Sequence, residues 1–179
     1  MSHSNKHIKI SIKDMTLISV FAAIISIISI IPTGIYILGV PLTLQTFAMA
    51  FSGYVLGTRK GTLAVIIYIL LGAIGLPVYN GFNGGIHVLA SVVGGFIFGF
   101  IFISTFSGLR SKHPIILGIT GLLLCHILGI VVAAFFLETG YISTAAIVSL
   151  PYLPKDIISI ILAYTCAKSV KKSIRNIHL

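Results

Sequence analysis

The sequence predicts an all-α integral membrane protein: a compact bundle of six transmembrane helices with N- and C-termini cytoplasmic. Three observations predict it. Of 179 residues, 57% are hydrophobic and only 8% charged, against about a quarter charged in an average globular domain. The apolar residues gather into six runs separated by Pro, Gly and short polar gaps. The basic residues collect in alternate gaps, as cytoplasmic loops require.

The runs follow in order. Residues 1–13 are polar and basic, with Lys6, Lys9 and Lys13, and read as a cytoplasmic tail. Run one, about 15–31, is ended by Pro32. A basic start before an apolar run is also how a signal peptide begins, but no Ala-x-Ala-like cleavage site follows and five more runs do, so run one reads as a retained helix. Run two, about 42–56, is opened by Pro41; run three, about 61–76, is ended by Pro77. Both are short against the roughly 20 residues of a full span, so they tilt little, sit in thinned bilayer or extend into their loops. Runs four, five and six are about 87–109, 114–137 and 151–167. The predicted organisation is a six-helix substrate-capture domain over 14–170 between basic tails at 1–13 and 171–179. With the first tail in the cytoplasm, eleven of the twelve basic residues fall on the cytoplasmic side; Lys155 is the exception. The loops at 31–41, 75–85 and 138–150 then lie outside.

Composition also excludes function classes. A net charge of +9 would suit nucleic acid if it covered one wet face, but spread between apolar runs it reads as topology. Cys125 and Cys166 each sit inside an apolar run and read as packing residues, not a disulfide framework. His87 and His126 stand on different runs with no Cys or carboxylate at ligand spacing, so a hydrogen-bonded packing role is expected and no metal. No phosphate-binding glycine motif, no Ser/His/Asp or Cys/His arrangement and no paired carboxylates are readable. An enzyme acting on lipid head groups would need several acids at one membrane face, and the three carboxylates lie far apart in sequence.

The stretch at 75–85, Gly-Leu-Pro-Val-Tyr-Asn-Gly-Phe-Asn-Gly-Gly, carries four Gly, one Pro, two Asn and two aromatics. Irregular backbone of this kind near a membrane persists where it is buried in protein or lines a cavity. It predicts a loop over a pocket, with Tyr79, Asn80, Phe82 and Asn83 as contacts; the competing reading is a turn made of good turn formers. Thr43, Gln45 and Thr46 fall in the first turns of run two, where Gln45 reads either as a ligand contact or as an interhelical hydrogen bond. Asp156 opens run six after Pro151 and Pro154 and reads as a helix cap, a ligand contact or both. If it points inward, Ser159, Ile160 and Ala163 share its face, and Lys155 points elsewhere or outward. Asp14 and Glu138 read as residues of helix ends in reach of water. Gly95-x-x-x-Gly99 reads as internal helix packing. Ser19, Ala22, Ala23 and Ser26 give run one a small-residue face that fits a helix of the same chain or of another subunit.

Val40-Pro-Leu-Thr-Leu-Gln-Thr46, Gly72-Ala-Ile-Gly-Leu-Pro-Val78, the Gly84-Gly85 and Gly94-Gly95 pairs and Pro151-Tyr-Leu-Pro-Lys-Asp156 together resemble the BioY family. These are biotin-binding S components of energy-coupling factor (ECF) transporters. The resemblance runs through about 15–168, with the first two segments the most specific. It implies a non-enzymatic transport subunit of the bacterial cytoplasmic membrane that takes biotin from outside, without cofactor. It implies docking on a coupling protein and two ATPases, in contact with lipid and not nucleic acid. It moves the Ser19/Ala22/Ala23/Ser26 face toward an intersubunit contact. It puts the ligand under the loop after run three, with contacts from the last helix. This chain departs from the family in having Ser91-Val-Val93 for Gly-Pro-Thr, and Pro-Lys-Asp for Pro-Gly-Asp with Ser159, not Lys, three residues on.

Biotin suits these residues. Asp156 can accept from its ureido N–H groups, Asn80 or Asn83 can donate to its carbonyl, and Tyr79 and Phe82 suit the thiophane ring. Its carboxylate would be met by Lys155 or by a helix N-terminus. The alternatives are an S component for another vitamin or a self-sufficient small-molecule carrier, since S components share an architecture and differ in ligand.

Overall fold

In the computed structural model, residues 11–31, 36–37, 40–41 and 43–177 are described. The expected basic tail up to residue 10, the Pro32 terminus of run one and the Leu42 start of run two lie outside them. Among the described residues the order is α1 (Ile12–Ile30), β1 (Tyr36–Ile37), β2 (Val40–Pro41), α2 (Gln45–Leu56), α3 (Thr58–Ala73), α4 (Ile86–Leu89), α5 (Gly94–Ser107), α6 (Pro114–Leu137), α7 (Tyr141–Val148) and α8 (Leu153–Ile177). The two short strands pair antiparallel, Tyr36 opposite Pro41. By length and composition, α1 and α6 can each cross a membrane, and α7 with α8, bent by 57°, can serve as one broken span.

Local chemistry sets the ends. Ser11 caps α1, accepting from the Asp14 N–H at 3.1 Å, while Asp14 reaches back to the Ser11 N–H and to Lys60 Nζ at 2.9 Å. Asp14 is thus the capping carboxylate expected of it, with a partly exposed ion pair added. Pro114 opens α6 in the first turn, where its missing N–H costs nothing.

Two runs break. Run four divides at Ala90–Val93: Ser91 Oγ donates to the Val88 carbonyl at 2.7 Å and the Gly94 N–H turns back to the Ser91 carbonyl at 2.9 Å. The expected outer loop at 138–150 contains α7. Glu138 in the left-handed region (φ 51°) ends α6, and the apolar segment after Gly140 forms two turns before Pro151. At the far end α8 continues through 171–177.

The core is where α2, α3, α5 and α8 meet, around Met49, Val65, Tyr68, Ile103 and Ile160. Against α6, α5 packs through glycine as expected: a side chain at Gly95 would stand 2.6 Å from the Leu128 carbonyl oxygen, and one at Gly99 would stand 2.6 Å from Cys125 Sγ. On α1 the small-residue face divides. Ala22 and Ser26 are buried within this chain, 2% and 7% exposed, whereas Ser19 and Ala23 are exposed. The four positions share an arc of about 100° on the helix, one edge of which, 22 and 26, packs within this chain while the other, 19 and 23, is left exposed.

Candidate functional site

A cavity of about 340 Å³ opens between the start of α2, the 75–85 loop, α5, α6 and the start of α8. That volume falls within the roughly 300–1,000 Å³ of small-molecule sites. Its apolar wall includes Val92, Val93, Phe96, Ile97 and Phe100; its polar groups come from Thr43, Gln45, Thr46, Asn80, His126, Lys155 and Asp156.

The loop closes one side because its backbone is tied at both ends. The Gly85 N–H donates to the Gly72 carbonyl at 2.7 Å, and the Tyr79 N–H to the Asn83 carbonyl at 2.9 Å. Tyr79 is 2% exposed, lies edge-on to Tyr68 and donates its hydroxyl to the Ile69 carbonyl at 2.7 Å. Burial pushes its phenol up to about 12, so it stays a neutral donor. Gly72 makes this seat possible: a Cβ there would meet the Tyr79 ring at 2.1 Å. The Asn83 amide is committed to the Asn80 carbonyl at 2.8 Å, whereas Asn80 Oδ1 is buried without a hydrogen-bond partner. A buried acceptor left open on a cavity wall is costly unless something fills it.

Opposite the loop, Asp156 is 5% exposed. Its Oδ1 accepts from Thr46 Oγ1 at 2.6 Å and lies 2.5 Å from Lys155 Nζ; Oδ2 faces His126 Nε2 at 3.4 Å. Lys155 Nζ also donates to the Thr43 carbonyl at 2.9 Å. Gln45 donates to Tyr68 Oη at 3.1 Å, the expected interhelical bond, and lines the cavity as well.

Gln45, Tyr79, Asn80, Asn83, Lys155 and Asp156 are therefore brought together. Two expected contacts are not. Phe82 sits at the tip of the turn at φ 60° and is 67% exposed. Ser159 is buried but off the cavity wall, its hydroxyl returned to the Lys155 carbonyl at 3.0 Å. Lys155 was expected to point away from Asp156; its long stem instead turns back to share the carboxylate.

His126 takes the expected hydrogen-bonded packing role, buried and edge-on to Phe96, and lines the cavity as well, whereas His87 departs from that role and is exposed on α4. A polar residue within a 24-residue apolar helix was the available signal for His126. The β-branched pair Val92–Val93 gave no such signal. His126 Nδ1 pairs with Ser149 Oγ at 2.7 Å, so serine, histidine and aspartate do form a chain that was not readable in sequence. Ser149 is 2% exposed and does not line the cavity, so its hydroxyl meets no substrate. The arrangement is not a nucleophile with its base facing the cavity. Among the described residues no group of three or more potential ligands could hold a metal ion.

The profile of the BioY family matches residues 1–176. A protein of Rhizobium etli named biotin transporter BioY is 33% identical over 175 residues, 89% of this chain and 94% of that one. Its namesake in Thermotoga maritima is 37% identical over 139 residues, 74% of this chain and 82% of that one. A solved structure described as the S-component for biotin from an ECF-type ABC transporter superposes with a TM-score of 0.80 at 25% identity, covering 96% of this chain and 95% of its own.

Proposed function

The chain belongs to the BioY family, and we propose that it is the biotin-binding S component of an ECF-type importer, a transport subunit and not an enzyme. The observation that carries the reading is the cavity: a buried carboxylate, an ammonium and an open amide acceptor on an apolar wall, under a tied glycine-rich loop. An apolar pocket with a few aimed polar groups suits a bicyclic ligand with a ureido edge.

The charged atoms of Lys155 and Asp156 are 2.5 Å apart, so they cannot serve opposite ends of biotin. In our reading they grip one edge of the ureido ring. Asp156 Oδ2, 3.4 Å from His126 Nε2, accepts an N–H, and Lys155 donates to the ureido carbonyl. Asn80 Oδ1 takes a further donor and Tyr79 packs on the ring system. The valerate carboxylate then points toward the mouth.

The same reading gives six spans in the bacterial cytoplasmic membrane: α1, α2, α3, α4 with α5, α6, and α7 with α8. Both termini are inside, the cavity opens outside, and residues 14–170 form the capture domain. ATP hydrolysis belongs to two partner ATPases acting through a transmembrane coupling protein. The exposed stripe of α1, Met15, Ser19, Ala23 and Ile27 at four-residue spacing, is the surface offered to that protein. The test is calorimetric titration of the purified chain with biotin. One-to-one binding that biotin analogues lacking the ureido group fail to reproduce is expected; absence of saturable binding overturns the assignment.

A further inference from the structure

A second cavity, about 550 Å³, lies at the opposite end of α8 from the first, between the end of α2, the α5–α6 turn and α8. Five cationic side chains line it: Arg110 from the turn, and Lys168, Lys171, Lys172 and Arg175 from α8. The α8 residues fall at i, i+3, i+4 and i+7, one face of the helix, so they converge instead of spreading round it. No carboxylate lines this cavity.

None can reach it. The chain has three acidic residues. Asp14 pairs with Lys60 and Asp156 lines the other cavity with Lys155. Glu138 stands past the far end of α6, whose first residue, Pro114, is on this wall; a helix of 24 residues is about 36 Å long. Among the described residues the cluster therefore has no carboxylate counter-ion beside it, and its like charges repel unless an anion enters. On the same wall Ser107 is buried, its hydroxyl beside that of Tyr54. The Tyr54 hydroxyl on the same wall donates to the Pro114 carbonyl at 3.1 Å. Leu109 in the turn lines the cavity and is an exposed apolar residue, as are Ile116 on α6 and Val170 on α8.

We propose that this cavity binds the phosphate of an anionic phospholipid head group, with the acyl chains along the neighbouring apolar surface. The chemistry it recognises is a phosphate anion; continuity with exposed apolar side chains favours a lipid over a free ion. The inference rests on the chain being membrane-embedded and not on its ligand.

The test is native mass spectrometry of the purified chain in detergent with phosphatidylglycerol, phosphatidylcholine, inorganic phosphate or hexaglutamate. Phosphatidylglycerol should be retained over phosphatidylcholine, and added salt should weaken it. The Lys171→Gln/Lys172→Gln/Arg175→Gln variant should lose about tenfold or more in retention, and Arg110→Gln a smaller part. Arg59→Gln, a cation outside the cavity, should change nothing. Biotin titration of each variant reports folding independently, since the first cavity is untouched. Equal retention of the two lipids, unchanged retention in both variants, inorganic phosphate binding as tightly as the lipid, or hexaglutamate displacing it would each overturn the proposal.

Discussion

Replacing Asp156 by Asn keeps the shape of the side chain and removes its charge. The carboxylate is 5% exposed, so water does not screen it. A hydrogen bond to a charged group contributes about 1.5–3 kcal/mol and a neutral one about 0.5–1.5 kcal/mol. The difference for one ureido N–H is therefore about 1–1.5 kcal/mol, or roughly tenfold in Kd. Lys155 does not lose its footing, because it still donates to the Thr43 carbonyl at 2.9 Å and its side chain is 27% exposed. Asp156→Ala is the harsher case. It removes the acceptor and leaves Thr46, Lys155 and His126 facing an empty place. Truncating one member of such a set costs about 2–5 kcal/mol, so binding should weaken by at least about thirtyfold. The assay is calorimetric titration with biotin in detergent, with circular-dichroism melts to confirm folding. Folded Asn and Ala variants that both bind within twofold of the native chain would refute Asp156 as a ligand contact.

Other outcomes follow from the same geometry. If the Lys155–Asp156 pair holds the ureido edge, biotin methyl ester should bind within about fivefold of biotin; a loss of a hundredfold would instead put the carboxylate on Lys155. Gly72→Ala places a methyl 2.1 Å from the Tyr79 ring, so the ring must leave its seat, and about 1–3 kcal/mol of overpacking should appear as a lower melting temperature and weaker biotin binding. Asn80→Ala should weaken binding by roughly tenfold through the lost acceptor, with no change in melting temperature. Ala22→Leu should lower the melting temperature because that site is 2% exposed. Ala23→Leu should leave stability and biotin binding intact and reduce co-purification with the coupling protein; the reverse pattern would exchange the two faces of α1.

Much of the fold was legible because the bilayer leaves few options. Backbone in hydrocarbon must bond to itself, so long apolar runs mean helices, and Pro and Gly mark where they stop. Run five coincides with α6 at both ends for that reason. Run four and the 138–150 segment were less legible, since a short apolar stretch beside Gly, Ser or Pro forms a brief helix or a loop depending on its neighbours. In the site, Asp156, Gln45 and the 75–85 loop stood out because polar or irregular elements near a membrane need a reason. His126 did not, since a histidine inside an apolar run is as well explained by packing.

The sequence by itself determined the membrane class, the order of the helices, the loop over the pocket and the family. These follow from composition, periodicity and local motifs, which are properties of neighbours along the chain. Only the tertiary structure decided that Lys155 turns back onto Asp156, that Asn80 keeps a buried open acceptor while the Asn83 amide donates to the loop, that Phe82 and Ser159 stand aside, and that five cations converge on one cavity. The site around them is assembled by side chains that meet across long stretches of chain, as Thr46 and Asp156 do with a separation of 110 and Lys155 and Thr43 with one of 112. No local pattern encodes such a distance.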